Sequence, residues 1–572
     1  MTAVAASSRF KENAHEALAD ARLQGALSFS RNFTARRAEA ADRLPEFEAL
    51  RDSARAIKDH TLAHLDLYLE AYERKVRESG GEVHYAQDAD EARRIVVDLC
   101  RWLGAKTVTK GKSMVSEEIG LNEALAAAGV EAVETDLGEY AIQLRGETPS
   151  HIIAPAIHLT KRDIEADFRR AHRDLPPDRD LSEPERLVAE ARAVLRAKFF
   201  AADVGITGAN FLVAETGTSI IVTNEGNGDL TQMLPKAHIV VASIEKIVPT
   251  LEDAAQFLRV LSRSATGQDI SVYTTFSTGP RRADDADGPS AYHVVLIDNG
   301  RSSMLGGEFE DMLRCIRCGA CMNHCPVYQA LGGHAYGWVY PGPMGAVLTP
   351  SLIGVKEGGQ LPNASTFCGR CEEVCPVRIP LPRMMRHWRE REFERHLSPA
   401  PLRYGLGFWA FFAARPALYR FATELAARAL HLVGRSKGRF AWLPARRRLD
   451  AVARSGRARA DDLSEPVARQ ERGERVGVHQ RRYMGRKHGR DPDHMPISHR
   501  RYAEWTPDRF RRWAGKIGPN TEGLISVVLA SRPHPEQGFR TCLGILRSYR
   551  PRSHSEARSS EPAGMKPTSP GY

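Results

Sequence analysis

No run of about eighteen uncharged apolar residues occurs in the 572-residue chain, so a membrane-spanning helix is not expected. Residues 1–11 hold no apolar core of the kind a secretory signal needs. No Gly-x-Gly-x-x-Gly opens a helix, so the chain shows no flavin or nicotinamide fingerprint. The run Thr109-Lys110-Gly111-Lys112-Ser113 does not fit the full P-loop spacing. Cysteine is nearly absent outside two short runs, which hold seven of the nine. A disulfide framework needs an oxidising compartment and usually a small secreted domain. Clustered cysteines without an export signal point instead to a reducing cytoplasm, the expected location.

What is present in those runs is specific. Cys315, Cys318, Cys321 and Cys325-Pro326 read C-x2-C-x2-C-x3-C-P; about forty residues later Cys368, Cys371 and Cys375-Pro376 read C-x2-C-x3-C-P. Structural zinc usually pairs two C-x2-C knuckles across a loop. Three cysteines in steps of three followed by Cys-Pro belong to iron–sulfur binding, where the cysteine before the proline ligates the other cluster. On that pattern Cys315, Cys318, Cys321 and Cys375 hold one cluster, and Cys325, Cys368 and Cys371 the other. Two [4Fe–4S] clusters are expected. The second has only three thiolates, so a non-cysteine group or a substrate completes it, or it is or becomes a [3Fe–4S] centre. His324 and His334 are near enough in sequence to be considered as ligands, against the plainer reading of packing or solvated histidines.

The length implies two or three domains. Hydrophobic and charged contents of 42% and 27% are those of an ordinary globular protein. The net charge of +10 is unevenly placed: residues 446–572 carry 27 Lys and Arg against 14 Asp and Glu, leaving 54 against 57 in residues 1–445. The body is near neutral and the tail is basic.

Residues 9–78 read as helices, with Leu44, Phe47, Leu50, Ala54, Ile57 and Leu62 at roughly helical spacing. Strands are expected at 82–86, 106–110 and 130–135, with helices at 88–103 and 121–128 between them. That alternation implies βαβ units and a mainly parallel sheet. Residues 211–216 and 218–223 form a hairpin about Gly217, residues 224–228 a turn, and 238–242 and 293–298 further strands. Residues 283–289 are a polar loop, and Cys100 is a small core residue. Three polar clusters, at 109–113, 215–218 and 224–227, offer a pocket for an anion; ordinary turns between strands are the plainer reading. Residues 383–396 form a charged helix. Residues 405–414 are apolar but too short to span a bilayer; packing as a core helix is the default, with rest on a membrane surface or a partner as the alternatives.

Residues from about 10 to 443 resemble the lactate utilisation protein B family of bacterial iron–sulfur proteins. The resemblance is carried by Thr109-Lys110-Gly111-Lys112-Ser113-Met114, Ala214-Glu215-Thr216-Gly217-Thr218, Thr223-Asn224-Glu225-Gly226-Asn227, Leu296-Ile297-Asp298-Asn299-Gly300-Arg301 and both cysteine runs. It implies an α/β LUD domain followed by an α-helical ferredoxin-like domain with the same seven cysteines. It also implies an electron carrier in oxidation of L-lactate to pyruvate, beside partner subunits of the lactate utilisation protein A and C types. The alternative is a LUD domain that is itself an enzyme or binds a small anion, using the clusters as an electron sink.

The expected organisation is an N-terminal helical segment (1–78), a LUD domain (79–305), the iron–sulfur domain (306–400), a helical segment (401–445), a basic linker (446–477) and a last piece (478–572). Stretches of that last piece, among them His499-Arg500-Arg501-Tyr502-Ala503-Glu504-Trp505, resemble the C-terminal part of IstA-type insertion-sequence transposases. It holds nothing assignable to an acidic catalytic triad, so it reads as a foreign graft or an assembly error rather than a DNA-binding fusion. No nucleic-acid contact is expected for residues 1–445.

Overall fold

Strands β1 (Glu82–Ala86), β2 (Thr107–Lys110), β3 (Glu131–Glu134), β4 (Val204–Thr207), β7 (Ala237–Ser243) and β10 (Ala291–Ile297) form one sheet in the order β1-β10-β7-β4-β2-β3. Every pairing in it is parallel. The computed structural model describes residues 6–28, 32–434, 439–440 and 455–456. β4 and β7 are buried along their whole lengths, as central strands covered on both faces must be.

Alternation sends successive side chains to opposite faces. Ile239, Val241, Val295 and Ile297 meet Ala92, Val96 and Cys100 of the Ala89–Trp102 helix, so Cys100 is the core residue expected. Val240, Ala242, Val294 and Leu296 meet Tyr68, Leu69, Tyr72 and Val76 of the Leu65–Glu78 helix. Asp88 caps the Ala89–Trp102 helix, its carboxylate accepting from the Glu91 amide at 2.9 Å.

A second sheet has the order β8-β5-β6-β9, from β5 (Phe211–Val213), β6 (Thr218–Thr223), β8 (Ile247–Val248) and β9 (Tyr273–Ser277). β5 and β6 are the expected antiparallel hairpin. Gly217 at its turn has φ +71°, and a Cβ there would stand 2.6 Å from the Lys75 and Val76 backbone. The turn expected at residues 224–228 is shorter than that, because Asn227 already opens the Asn227–Met233 helix.

After β10 the chain becomes helical. The Gly342–Ile353 helix is almost wholly buried and is the spine of the cysteine-bearing domain. Its core continues without a break into the N-terminal helices and the Leu251–Ala265 helix, joining Phe10, Phe47 and Phe257 to Met322, Tyr340 and Trp388. The N-terminal segment is bound into this domain: the Ser7 hydroxyl donates to the Tyr336 carbonyl at 2.9 Å, and the Phe10 and Tyr336 rings lie 5.3 Å apart.

The core-helix default for residues 405–414 fails. They belong to the Ala400–Ala413 helix, which buries no residue and leaves Phe408 and Trp409 68% and 58% exposed. No helix among the described residues is long and apolar enough to cross a membrane. The basic linker and the transposase-like piece lie outside the described residues, apart from Ser455–Gly456, which pairs with Arg439–Phe440.

Candidate metal centre and the adjoining pocket

The two cysteine runs share a local shape. In Cys318-Gly319-Ala320-Cys321 and Cys368-Gly369-Arg370-Cys371 the glycine takes φ +72° and +80°, a region open to glycine without strain. Each glycine starts a four-residue helix, Ala320–Asn323 or Arg370–Glu373, that carries the next cysteine. The two short helices pack together and bring the runs face to face. Pro326 then opens the Pro326–Leu331 helix, with Cys325 in extended backbone at its N-cap.

All seven thiols are free; Cys318, Cys325, Cys371 and Cys375 are buried, Cys315 and Cys321 half-buried, and Cys368 exposed. Burial pushes Cys371 up to about 12 and Cys375 to about 11. Cys318 is raised first by burial, then by Cys375 and Cys315. Cys325 is raised by burial with Cys368 beside it, and after burial the largest influence on Cys371 is Cys325. Unpaired thiols of both runs, buried and within electrostatic reach of one another, suit a cationic metal centre that would hold them as thiolates. Backbone amides of Arg317 and Ile379 donate to Cys315 Sγ at 3.5 Å and Cys375 Sγ at 3.4 Å.

Both histidines considered as ligands have other bonds. His324 Nδ1 meets the Ala320 carbonyl at 2.9 Å, and burial brings its pKa down to about 4. His334 Nε2 meets the Thr148 carbonyl at 2.7 Å.

Beside the first run lies a cavity of about 280 Å³. It opens where the chain leaves β2, β3, β4 and β7, the carboxyl ends of the parallel strands, where such sheets place their ligands. Lys112 and Ser113 line it after β2, Asp136 after β3, Asn210 after β4 and Lys246 after β7, with Asn224, Glu225 and Asn227 opposite. Arg317 and Cys318 complete the wall, so the cavity borders the cysteine domain.

Two of the three polar clusters therefore meet and the third does not. Glu215 accepts from the Leu251 amide at 3.2 Å, and residues 215–218 make the hairpin turn. Lys110 is also structural. Burial alone would lower it, but Glu117 at 2.8 Å and Glu134 at 2.7 Å more than offset that and keep it charged.

A buried charge network forms the floor between the domains. Arg301 reaches Glu118 at 2.6 Å, and its Nε stands 2.9 Å from Glu245 as an ion contact. Arg317 reaches the other oxygen of Glu245 at 3.1 Å and lies over the Tyr340 ring, 4.9 Å from its centroid. The Tyr340 hydroxyl donates to Glu118 at 2.6 Å. Burial would raise Glu245, but Arg301 and Arg317 bring it down to about 2. Lys246 is held at about 8 by burial and then by Arg317, and no hydrogen bond of its ammonium is found among the described residues. Lys58 is brought to about 7, chiefly by burial, and donates to the Glu245 and Ile247 carbonyls.

Comparison with known proteins matches this architecture. The LUD domain family matches residues 69–297, and the 4Fe-4S dicluster domain family matches residues 311–379. "Lactate utilization protein B" of Bacillus licheniformis is 45% identical over 426 residues, covering 74% of this chain and 88% of its own. The chain belongs to the lactate utilisation protein B family. Its relative of that name in Bacillus subtilis is 43% identical over 425 residues, covering 74% of this chain and 88% of its own. In Escherichia coli, "Uncharacterized electron transport protein YkgF" is 43% identical over 386 residues, covering 68% of this chain and 80% of its own. A solved DUF162 family protein from Deinococcus radiodurans is 14% identical at a TM-score of 0.22, covering 40% of this chain and 96% of its own. The match to the 4Fe-4S dicluster domain family makes residues 311–379, with both cysteine runs, an iron–sulfur domain. Sequence reasoning missed Asp136, Lys246 and Arg317 as pocket residues. The signal for the first two is position, each falling within three residues after a parallel strand.

Proposed function

We propose that the protein is an iron–sulfur electron-transfer subunit in the oxidation of L-lactate to pyruvate, working beside subunits of the lactate utilisation protein A and C types. The observation that carries this reading is the dicluster domain joined to a LUD domain in a chain 45% identical to lactate utilisation protein B. Cys315, Cys318, Cys321 and Cys375 would hold one cluster, and Cys325, Cys368 and Cys371 the other. Bound there, the clusters supply one-electron transfer at potentials set by ligand set, burial and hydrogen bonds to sulfur. The chain's own part is to bury the thiols, donate the Arg317 and Ile379 amides to sulfur, and fix the domain interface through Arg301 and Glu245. Anaerobic purification with iron and sulfide counting and low-temperature EPR tests it. Clusters that stay oxidised when L-lactate is added with both partner subunits would contradict it.

A second reading is favoured by the cavity, which brings Lys112, Ser113, Asn224 and Lys246 beside Cys318. On it the LUD domain binds a small anion, oriented by Lys246, next to the electron carrier. Calorimetry of the full chain alone with L-lactate separates the two: heat that disappears in Lys246→Ala favours this reading, and silence favours the first.

The protein would work in the cytoplasm, at the inner face of the membrane. There the exposed Phe408, Trp409 and Phe411 and nearby Arg415 would rest on the lipid surface. Residues 478–572 are read as a graft of transposase sequence. A chain ending at Ala445, with net charge −3 in place of +10, should keep its iron; loss of iron would contradict the graft.

A further inference from the structure

Two groups of histidine and carboxylate side chains stand apart from the cysteines. In the first, Glu147, His158 and His334, the relevant atoms are already used. His158 Nε2 meets Glu147 at 2.8 Å, Arg145 takes the other Glu147 oxygen at 2.9 Å, and His334 Nε2 meets the Thr148 carbonyl at 2.7 Å.

The second group is arranged differently. Glu82 and His84 lie two residues apart on the edge strand β1 and so share a face. The parallel register sets His293 of β10 directly beside Glu82. His84 Nε2 and His293 Nδ1 share a hydrogen bond at 3.3 Å, which an arriving ion would replace. Glu82 Oε2 is 3.8 Å from His84 Nε2 and 3.6 Å from His293 Nδ1. Tetrahedral zinc bonds nitrogen and carboxylate oxygen at about 2.0–2.2 Å, which puts its ligand atoms about 3.3–3.5 Å apart. The three atoms are therefore close to one face of that tetrahedron before any ion arrives.

We propose that Glu82, His84 and His293 form a site for a divalent transition-metal ion of the zinc class, with its fourth position open to water. The plainer reading is a histidine pair packed at a sheet edge. Against it, donor atoms of three side chains from two neighbouring strands converge within 3.8 Å of one another, with His293 buried behind them. The Trp102 ring stands edge-on to His293 at 6.1 Å and walls the site. Burial lowers both histidines from their ordinary value, which keeps them in the neutral form a metal takes. Arg77, the cation that bears on His84, is itself paired with Glu73 at 2.8 Å. The ion would tie the edge strand to its neighbour and use no cysteine, so it is separate from the iron–sulfur domain.

The test uses the full chain with its clusters intact. Dialysed anaerobically against micromolar zinc chloride, it should gain about one zinc per chain with no loss of iron. His84→Ala at a half-buried position and Glu82→Gln at an exposed one should each weaken zinc binding about tenfold or more at unchanged iron. The rise in melting temperature on adding zinc should disappear with it. His334→Ala, in the other group, should bind zinc like the parent chain. Failure of the parent chain to take zinc while its iron is retained would overturn the site, as would full zinc retention in His84→Ala.

Discussion

Arg317 stands between two cysteines of the first run, yet its guanidinium is spent on the other domain, 3.1 Å from the Glu245 carboxylate that follows β7. Its backbone takes φ +58°, a region that costs a non-glycine residue roughly 1–3 kcal/mol. Arg317→Gln should lower stability by about 3 kcal/mol, because it takes from buried Glu245 one of its two ion-pair partners. Denaturation of the anaerobic protein measures that. The same change removes a positive charge beside Cys315, so the cluster there should become harder to reduce in an EPR redox titration. Arg317→Lys should restore the potential better than the stability; an unchanged or raised potential in Arg317→Gln would show that the charge does not reach the cluster.

Lys246 gives the pocket a pH dependence. Its ammonium is present below about 8 and lost above it, chiefly because it is buried. An anion in the cavity favours the ammonium, so affinity should be flat below neutrality and fall as pH rises through about 8, approaching tenfold per pH unit. The sign for stability is opposite. A folded value below the unfolded one makes charged Lys246 a cost at low pH, and the cost fades between about 8 and the ordinary lysine value. Calorimetry with a small carboxylate from pH 6 to 10, repeated on Lys246→Met, measures this. Affinity that rises above pH 8 would remove Lys246 from the site.

The proposed ligand assignment crosses the sequence. On it, Cys375→Ser should damage the cluster of Cys315, Cys318 and Cys321, although Cys375 lies in the second run. Cys371→Ser should damage the other cluster. The second set has only three thiolates and includes the exposed Cys368, so it should lose iron first in air and give a three-iron EPR signal. A Cys375→Ser protein that loses only the labile centre would reverse the assignment.

Gly205 in β4 lies under the Asn227–Met233 helix so closely that a Cβ would stand 1.8 Å from the Thr231 carbonyl oxygen. Gly205→Ala must push that helix outward, at a cost of about 1–3 kcal/mol. The shift moves Asn227, so weaker ligand binding should accompany the lower melting temperature. Thermal melts and calorimetry on one preparation test whether the two effects travel together.

The elements that read well in the sequence are those whose signal is local. Asp88 before an apolar stripe, Gly217 between two β-branched runs and cysteines in steps of three each act over a few residues. The cavity is different. Lys112, Asp136, Lys246 and Arg317 are brought together by a strand order, β1-β10-β7-β4-β2-β3, that no window of neighbouring residues encodes. Residues 405–414 mislead for a related reason. Their composition says apolar, and apolar composition does not say whether the fold provides anything to cover them.

The hydroxyl of Ser7 bonds to a residue 329 positions later in the chain. On a ribosome adding about 5–20 residues per second, that partner emerges some 16–65 s after Ser7 does. The parallel sheet waits about two-thirds as long, because Glu82 of β1 pairs with His293 of β10, the last strand of its sheet to be made. Phe10 and the apolar face of β1 therefore stay unpaired until those partners emerge. Deletion of residues up to Ala19 should leave a chain that translates normally but accumulates bound to holding chaperones, since its iron–sulfur domain is then born without the helix it closes upon.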